Sequence, residues 1–84
     1  MDIYGDIKMN NPILIHVNRR FHIPLDKIIA VKKKKHGSVY VYFNDGKSER
    51  PKIAVAKMEL SNLLTVINTA RIMSGQKPLL AIKE

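Results

Sequence analysis

From Asn11 onward, apolar and polar positions alternate with a period near two, and the period switches to helical after Ala56. Ile13-Leu14-Ile15-His16-Val17 reads as a strand with Ile13, Ile15 and Val17 on one face. Phe21-His22-Ile23 is a brief extended piece stopped by Pro24. Lys27 to Lys35 begins as a strand, with Ile29 and Val31 turned inward. Val39-Tyr40-Val41-Tyr42-Phe43 is the clearest strand, combining alternation with β-branched and aromatic residues. Asn44-Asp45-Gly46 predicts a hairpin, and the returning strand runs from Lys47 to Val55. Pro51 confines its first half to an edge or a bulge, after which Ile53 and Val55 face the core.

One helix follows, about Lys57 to Met73, with Leu60, Leu63, Leu64, Val66, Ile67, Ala70 and Met73 on its apolar side. Arg71 lies in its last turn, Gly75 supplies a left-handed cap and Pro78 follows. Those seven positions span an arc of roughly 180°, wider than the ~100° stripe that one sheet requires. The excess means either deep burial within the chain or contact with a second subunit. The apolar tail Leu79-Leu80-Ala81-Ile82 adds a short strand or docks on a partner chain. The order predicts an α+β fold, a four-stranded antiparallel β-meander followed by one C-terminal helix packed on one face. A single domain accounts for 84 residues: an arm over 1–11, anchored through Ile3, Tyr4, Ile7 and Met9, then the meander over 12–56, the helix over 57–74 and a tail over 75–84.

Composition sharpens the picture. Lys and Arg number 15 against 7 acids, a net charge of +8, while 45% of residues are apolar. The apolar share predicts a folded domain, and the charge draws polyanions. No cysteine is present, which excludes disulfides and thiolate sites and fits a reducing interior. No secretory signal or membrane-spanning run is read in the sequence, and a cytoplasmic location is expected.

The charge is concentrated in Lys32-Lys33-Lys34-Lys35, which runs through His36-Gly37 into the tyrosine-bearing strand. Register decides what the lysines face. A two-residue loop at His36-Gly37 sets Ala30 against Phe43 and mixes core with surface. A three-residue loop, His36-Gly37-Ser38, sets Val31 against Phe43, Lys32 against Tyr42 and Lys34 against Tyr40. Ile29, Val31, Val39, Val41 and Phe43 then share the core face, with Lys32, Lys34, Tyr40 and Tyr42 on the other. The odd loop is preferred. Ammonium groups neutralise phosphates, and two rings about 6.5–7 Å apart offer successive bases a stacking platform. Alternatively, the rings cover lysine stems and the charge run is a solvated edge. Arg19, Arg20 and Arg50 extend the candidate site, Arg50 lying opposite Tyr40 if Asn44-Asp45-Gly46 forms a three-residue loop. Leu63, Val66, Ala70, Met73, Leu79 and Leu80 are the candidate dimer interface.

Other chemistry finds no seat. His16, His22 and His36 lack metal-ligand spacing, the acids are scattered, and no nucleophile motif or glycine-rich phosphate loop appears. No enzyme activity, metal or cofactor is expected. Phe21-His22-Ile23, Lys35-His36-Gly37, Val39-Tyr40-Val41, Asp45-Gly46-Lys47 and Pro51-Lys52-Ile53 resemble the positive-cofactor-four type of transcriptional coactivator. That resemblance implies a sheet binding single-stranded DNA through Lys32, Lys34, Tyr40, Tyr42 and Arg50, with the helix pairing subunits. The family's glycine-containing entry into the helix and its helical tryptophan have no counterpart. Ile23-Pro24-Leu25-Asp26-Lys27-Ile28 through Leu60 to Leu64 also looks like the first half of LytTR-type DNA-binding domains, without their later basic-aromatic segment. A bacterial pleckstrin-homology-like module is similar in its order of strand, Asp-Gly turn, strand and helix, and implies a protein or lipid partner. The expected function is a non-catalytic nucleic-acid-binding protein, a homodimer preferring single strands. The alternative is a protein-interaction module acting through the helix flank and tail.

Overall fold

A computed structural model describes residues 13–83; the arm read over 1–11 lies outside them. Strand β1 (Leu14–His16) pairs antiparallel with β2 (His22–Pro24), a single 3-10 turn covers Leu25–Lys27, and β3 (Ile28–Lys33) follows. Then come β4 (Val39–Phe43), β5 (Lys52–Val55), helix α1 (Leu60–Met73) and a two-residue β6 (Ile82–Lys83). The fold is α+β, as the periodicities predict. The four-stranded meander is corrected: β1 and β2 form their own two-stranded sheet, and the larger sheet has the order β5-β4-β3-β6. Among the described residues β3, β4 and β5 make the antiparallel meander, and the fourth place in the sheet is taken by β6, parallel to β3. Among the described residues no helix is long and apolar enough to cross a membrane.

One core joins the pieces. Ile15, Val17 and Ile23 from the hairpin meet Val31, Val39, Val41 and Phe43 from the large sheet and Leu63 and Ile67 from the helix. The Phe21 and Phe43 rings, 5.8 Å apart and tilted by 59°, knit the two sheets. The strand alternation holds at Ile15 and Val17 but not at Ile13, which is exposed.

Helix α1 starts later than the sequence reading places it, at Leu60, and buries a narrower stripe. Leu63 and Ile67 are fully buried, and Leu60, Leu64 and Ala70 pack partly against the core, while Val66 and Met73 stay exposed. Its end is the expected one. Gly75 adopts φ +80°, its N–H donates to Ile72 O, and the Gln76 N–H donates to Arg71 O, a Schellman cap that only glycine enters without strain.

The apolar tail does add a short strand, and a residue outside the hydrophobic pattern holds it there. The Asn68 side chain donates to Leu79 O (3.0 Å) and accepts from Leu79 N–H (2.7 Å), both partly buried. At about 0.5–1.5 kcal/mol per hydrogen bond, Asn68→Ala should cost the tail roughly 1–3 kcal/mol. Amide exchange at Ile82 and Lys83 should rise accordingly, while exchange in β4 stays slow; unchanged tail protection would contradict the clamp.

Candidate nucleic-acid interface

The β3–β4 turn decides which lysines meet the tyrosines. Lys34 N–H donates to Ser38 O, Gly37 N–H donates to Lys34 O, and Gly37 has φ +98°. Lys35-His36-Gly37 is thus a three-residue loop with glycine in the left-handed position, a favoured hairpin closure. The loop length matches the preferred reading, but the loop sits one residue earlier. Lys32 therefore opposes Tyr40 instead of Tyr42, Val31 opposes Val41 and Lys33 opposes Val39. A slip of two positions preserves which face each side chain takes. Val31, Val39, Val41 and Phe43 are buried, and Lys32, Tyr40 and Tyr42 share the opposite face, half-buried. Ile29 departs from the expected alternation. A bulge between Ile28 and Ala30 puts Ile28 inside and leaves Ile29 49% exposed.

Tyr40 has lysines on two sides, Lys32 opposite it on β3 and Lys34 near its ring. Lys34 Nζ stands 5.6 Å from the centre of the Tyr40 ring, within cation–π range. The His36 ring approaches the same tyrosine edge-on at 6.5 Å. The remaining basic residues are placed elsewhere. Lys33 has the parity of Val31 and lines the helix side of the sheet, Lys35 is exposed in the turn, and Arg19 and Arg20 are exposed in the β1–β2 turn. Arg50 is not opposite Tyr40; it lies in the β4–β5 loop, and Val55 holds that register position.

That loop accounts for the largest departure. Instead of closing at Asn44-Asp45-Gly46, the hairpin pairs Phe43 with Lys52 and spans residues 44–51. Asn44 Oδ1 accepts from Gly46 N–H, Asp45 Oδ1 from Lys47 N–H, and Ser48 Oγ from Arg50 N–H, so side chains brace the loop from within. The shift is odd and reverses both faces of β5. Ala54 and Ala56 face the core, while Ile53 and Val55 are 48% and 44% exposed beside Tyr42 and Tyr40. Ile82, 52% exposed, pairs with Lys32 from the other side. The outer face thus reads Val55, Tyr40, Lys32, Ile82 across the strands, a basic-aromatic centre with aliphatic borders. Sequence reasoning missed those borders. The buried alanines alternating with Ile53 and Val55 were the available signal, and bulk outweighed them.

Asp45 also anchors the loop to β5, its carboxylate 2.8 Å from Lys52 Nζ. The hydrogen bond from Lys52, aided by the Lys47 N–H, lowers the Asp45 pKa to about 2. The folded state therefore favours the ionised carboxylate. The loop's stabilisation is complete above the ordinary carboxylate pKa near 4 and is lost as pH falls through about 2. An NMR titration should place the Asp45 midpoint near 2 in the wild type and higher in Lys52→Met; identical midpoints would contradict the pairing.

The candidate dimer residues are dispersed. Leu63 is fully buried within the chain and offers nothing to a second subunit, a correction to its expected place. Ala70 and Leu79 pack partly on the core; Val66, Met73 and Leu80 are exposed. Val66, Ala70 and Met73 line an apolar groove of about 470 Å³ with Ile13, Thr65 and Thr69. Among the histidines, His16 and His22 face each other across β1 and β2 with rings stacked 4.0 Å apart. Among the described residues no group of three or more His, Asp or Glu could hold a metal ion. No family model, curated protein or solved structure matches this chain.

Proposed function

We propose that the protein is a non-catalytic nucleic-acid-binding module that takes single strands on the outer face of its large sheet. The observation that carries this reading is the Lys34 ammonium 5.6 Å over the Tyr40 ring, with Lys32 paired to the same tyrosine and Tyr42 on the same face. Bases stack on the two rings, and the lysines neutralise the flanking phosphates. The net charge of +8 adds long-range attraction for a polyanion. Resemblance to the coactivator sheets implies the same use of Lys32, Lys34, Tyr40 and Tyr42. A cysteine-free chain suits the reducing cytoplasm, where the proposal places it.

Titration with a fluorescent single-stranded oligonucleotide at 50 and 200 mM salt tests the reading. Affinity should fall steeply with salt, the two phosphates neutralised by Lys32 and Lys34 alone contributing about −1.4 to the log–log slope, at about 0.7 each. Absence of binding at the lower salt would end the proposal.

A second reading has its own observation. Ile53, Val55 and Ile82 on the outer face, and the groove beside Val66 and Met73, are apolar surface of the kind protein partners cover, a second copy of the chain included. On this reading deleting residues 79–83 abolishes assembly in light scattering, whereas Lys32→Gln and Lys34→Gln leave it unchanged.

A further inference from the structure

We propose that a second set of cations, on the helix side of the β3–β4 turn, forms a track for the sugar–phosphate backbone of the bound nucleic acid. The proposal rests on the nucleic-acid reading above and adds a contact that reads no bases.

Strand alternation splits the lysine run. Lys32 goes to the tyrosine face, and Lys33 goes to the side carrying α1. There the parallel pairing sets Lys83 directly beside it. Adjacent strands lie about 4.8 Å apart, and like charges placed opposite one another destabilise a sheet. Among the described residues neither lysine is in an ion pair. A bound polyanion relieves that repulsion.

The positive charge continues from this pair. Lys33 lines an open concavity of about 650 Å³ with Gly37, Lys57 and Glu59. Lys57 also lines the adjoining concavity, about 490 Å³, together with Asn18, Arg19 and Arg20 among the described residues. Among the described residues Glu59 is the one carboxylate on either wall, and it lies at the Lys33 end. The junction is braced. Lys57 N–H donates to Val17 O at 3.0 Å, and Asn18 Nδ2 donates to Val55 O at 2.7 Å. Asn18 Oδ1 accepts from the Arg20 and Phe21 N–H groups, which holds the arginine turn against the end of β5.

Lys83, Lys33, Lys57, Arg19 and Arg20 thus follow one another across the end of the fold. The chemistry selects the ligand. Among the described residues no aromatic ring lines either concavity, so none of them offers bases a stacking surface there. Guanidinium forks match phosphate oxygens in pairs, and lysines serve as point charges along the chain. The ligand group is the phosphodiester, and the contact is blind to sequence.

The test compares an oligonucleotide with an abasic strand of equal length, each titrated by fluorescence anisotropy over a range of salt. Arg19→Gln/Arg20→Gln/Lys57→Gln should reduce the magnitude of the salt slope by about 2, three phosphates at ~0.7 each. The loss should be equal for both probes, because only phosphates are involved. Tyr40→Ala should weaken the base-bearing strand alone. Melting curves check that the triple variant folds, and Arg19→Lys/Arg20→Lys should keep the wild-type slope. A triple variant that folds and keeps the wild-type slope with both probes overturns the track, and if Tyr40→Ala still weakens binding the tyrosine face survives. A full effect of the triple variant beside a silent Tyr40→Ala supports the track and removes the stacking surface. No binding of the wild type to either probe overturns both.

Discussion

Replacing Leu63 with Ala should lower the melting temperature by on the order of 10–30 °C, among the largest effects of any single truncation in the helix. Leu63 is fully buried at the centre of the core, and truncating such a residue costs about 2–5 kcal/mol through lost transfer energy and a residual cavity. At 84 residues the whole fold has only about 4–13 kcal/mol to lose, and each kcal/mol moves the midpoint of so small a domain by about 4–8 °C. Val66→Ala, one turn further along on the exposed flank, should stay within about 0.5 kcal/mol of wild type. Comparable losses at both positions would mean that the helix buries the wide arc after all, with Val66 covered by something outside the described chain.

The second large effect concerns binding. Tyr40→Ala combined with Tyr42→Ala should weaken single-strand affinity by at least ~30-fold, given stacking worth about 1–3 kcal/mol per base. Both rings lie on the outer face, half-buried, so melting should change far less than for Leu63→Ala. Tyr40→Phe separates the ring from the hydroxyl. It should bind within a few-fold of wild type, because the ring face does the stacking and also receives the Lys34 ammonium. Wild-type affinity in the double alanine variant would remove the tyrosines from the interface and leave the aliphatic borders as the better description of that face.

The tyrosine face was legible in the sequence for a definite reason. Val39 to Phe43 alternates without interruption, so its inward and outward sets survive any register error of two, and the actual slip at the turn was two. Gly75 was legible because helix ends have a local chemistry. The faces of β5 were not. Asn44-Asp45-Gly46 carries a strong tight-turn signal, yet hydrogen bonds from Asn44, Asp45 and Ser48 and the Asp45–Lys52 pair support a longer loop. One odd change in loop length then exchanged Ile53 and Val55 for two alanines in the core. The bulge at Ile29 and the Asn68 clamp are likewise tertiary choices, since neither leaves a periodic trace. The helix appeared broader than the stripe it buries because Val66 and Met73 are apolar at exposed positions.

The account stands on rings and ammonium groups presented together by the outer face of the large sheet. Amide and aromatic chemical-shift mapping during titration with a single-stranded oligonucleotide tests this most directly. The largest perturbations should fall on Lys32, Lys34, Tyr40 and Tyr42, extend to Ile53 and Val55, and leave Leu63 and Ile67 unmoved. Perturbations confined to Val66, Met73 and the tail, or none at saturating oligonucleotide, would contradict it.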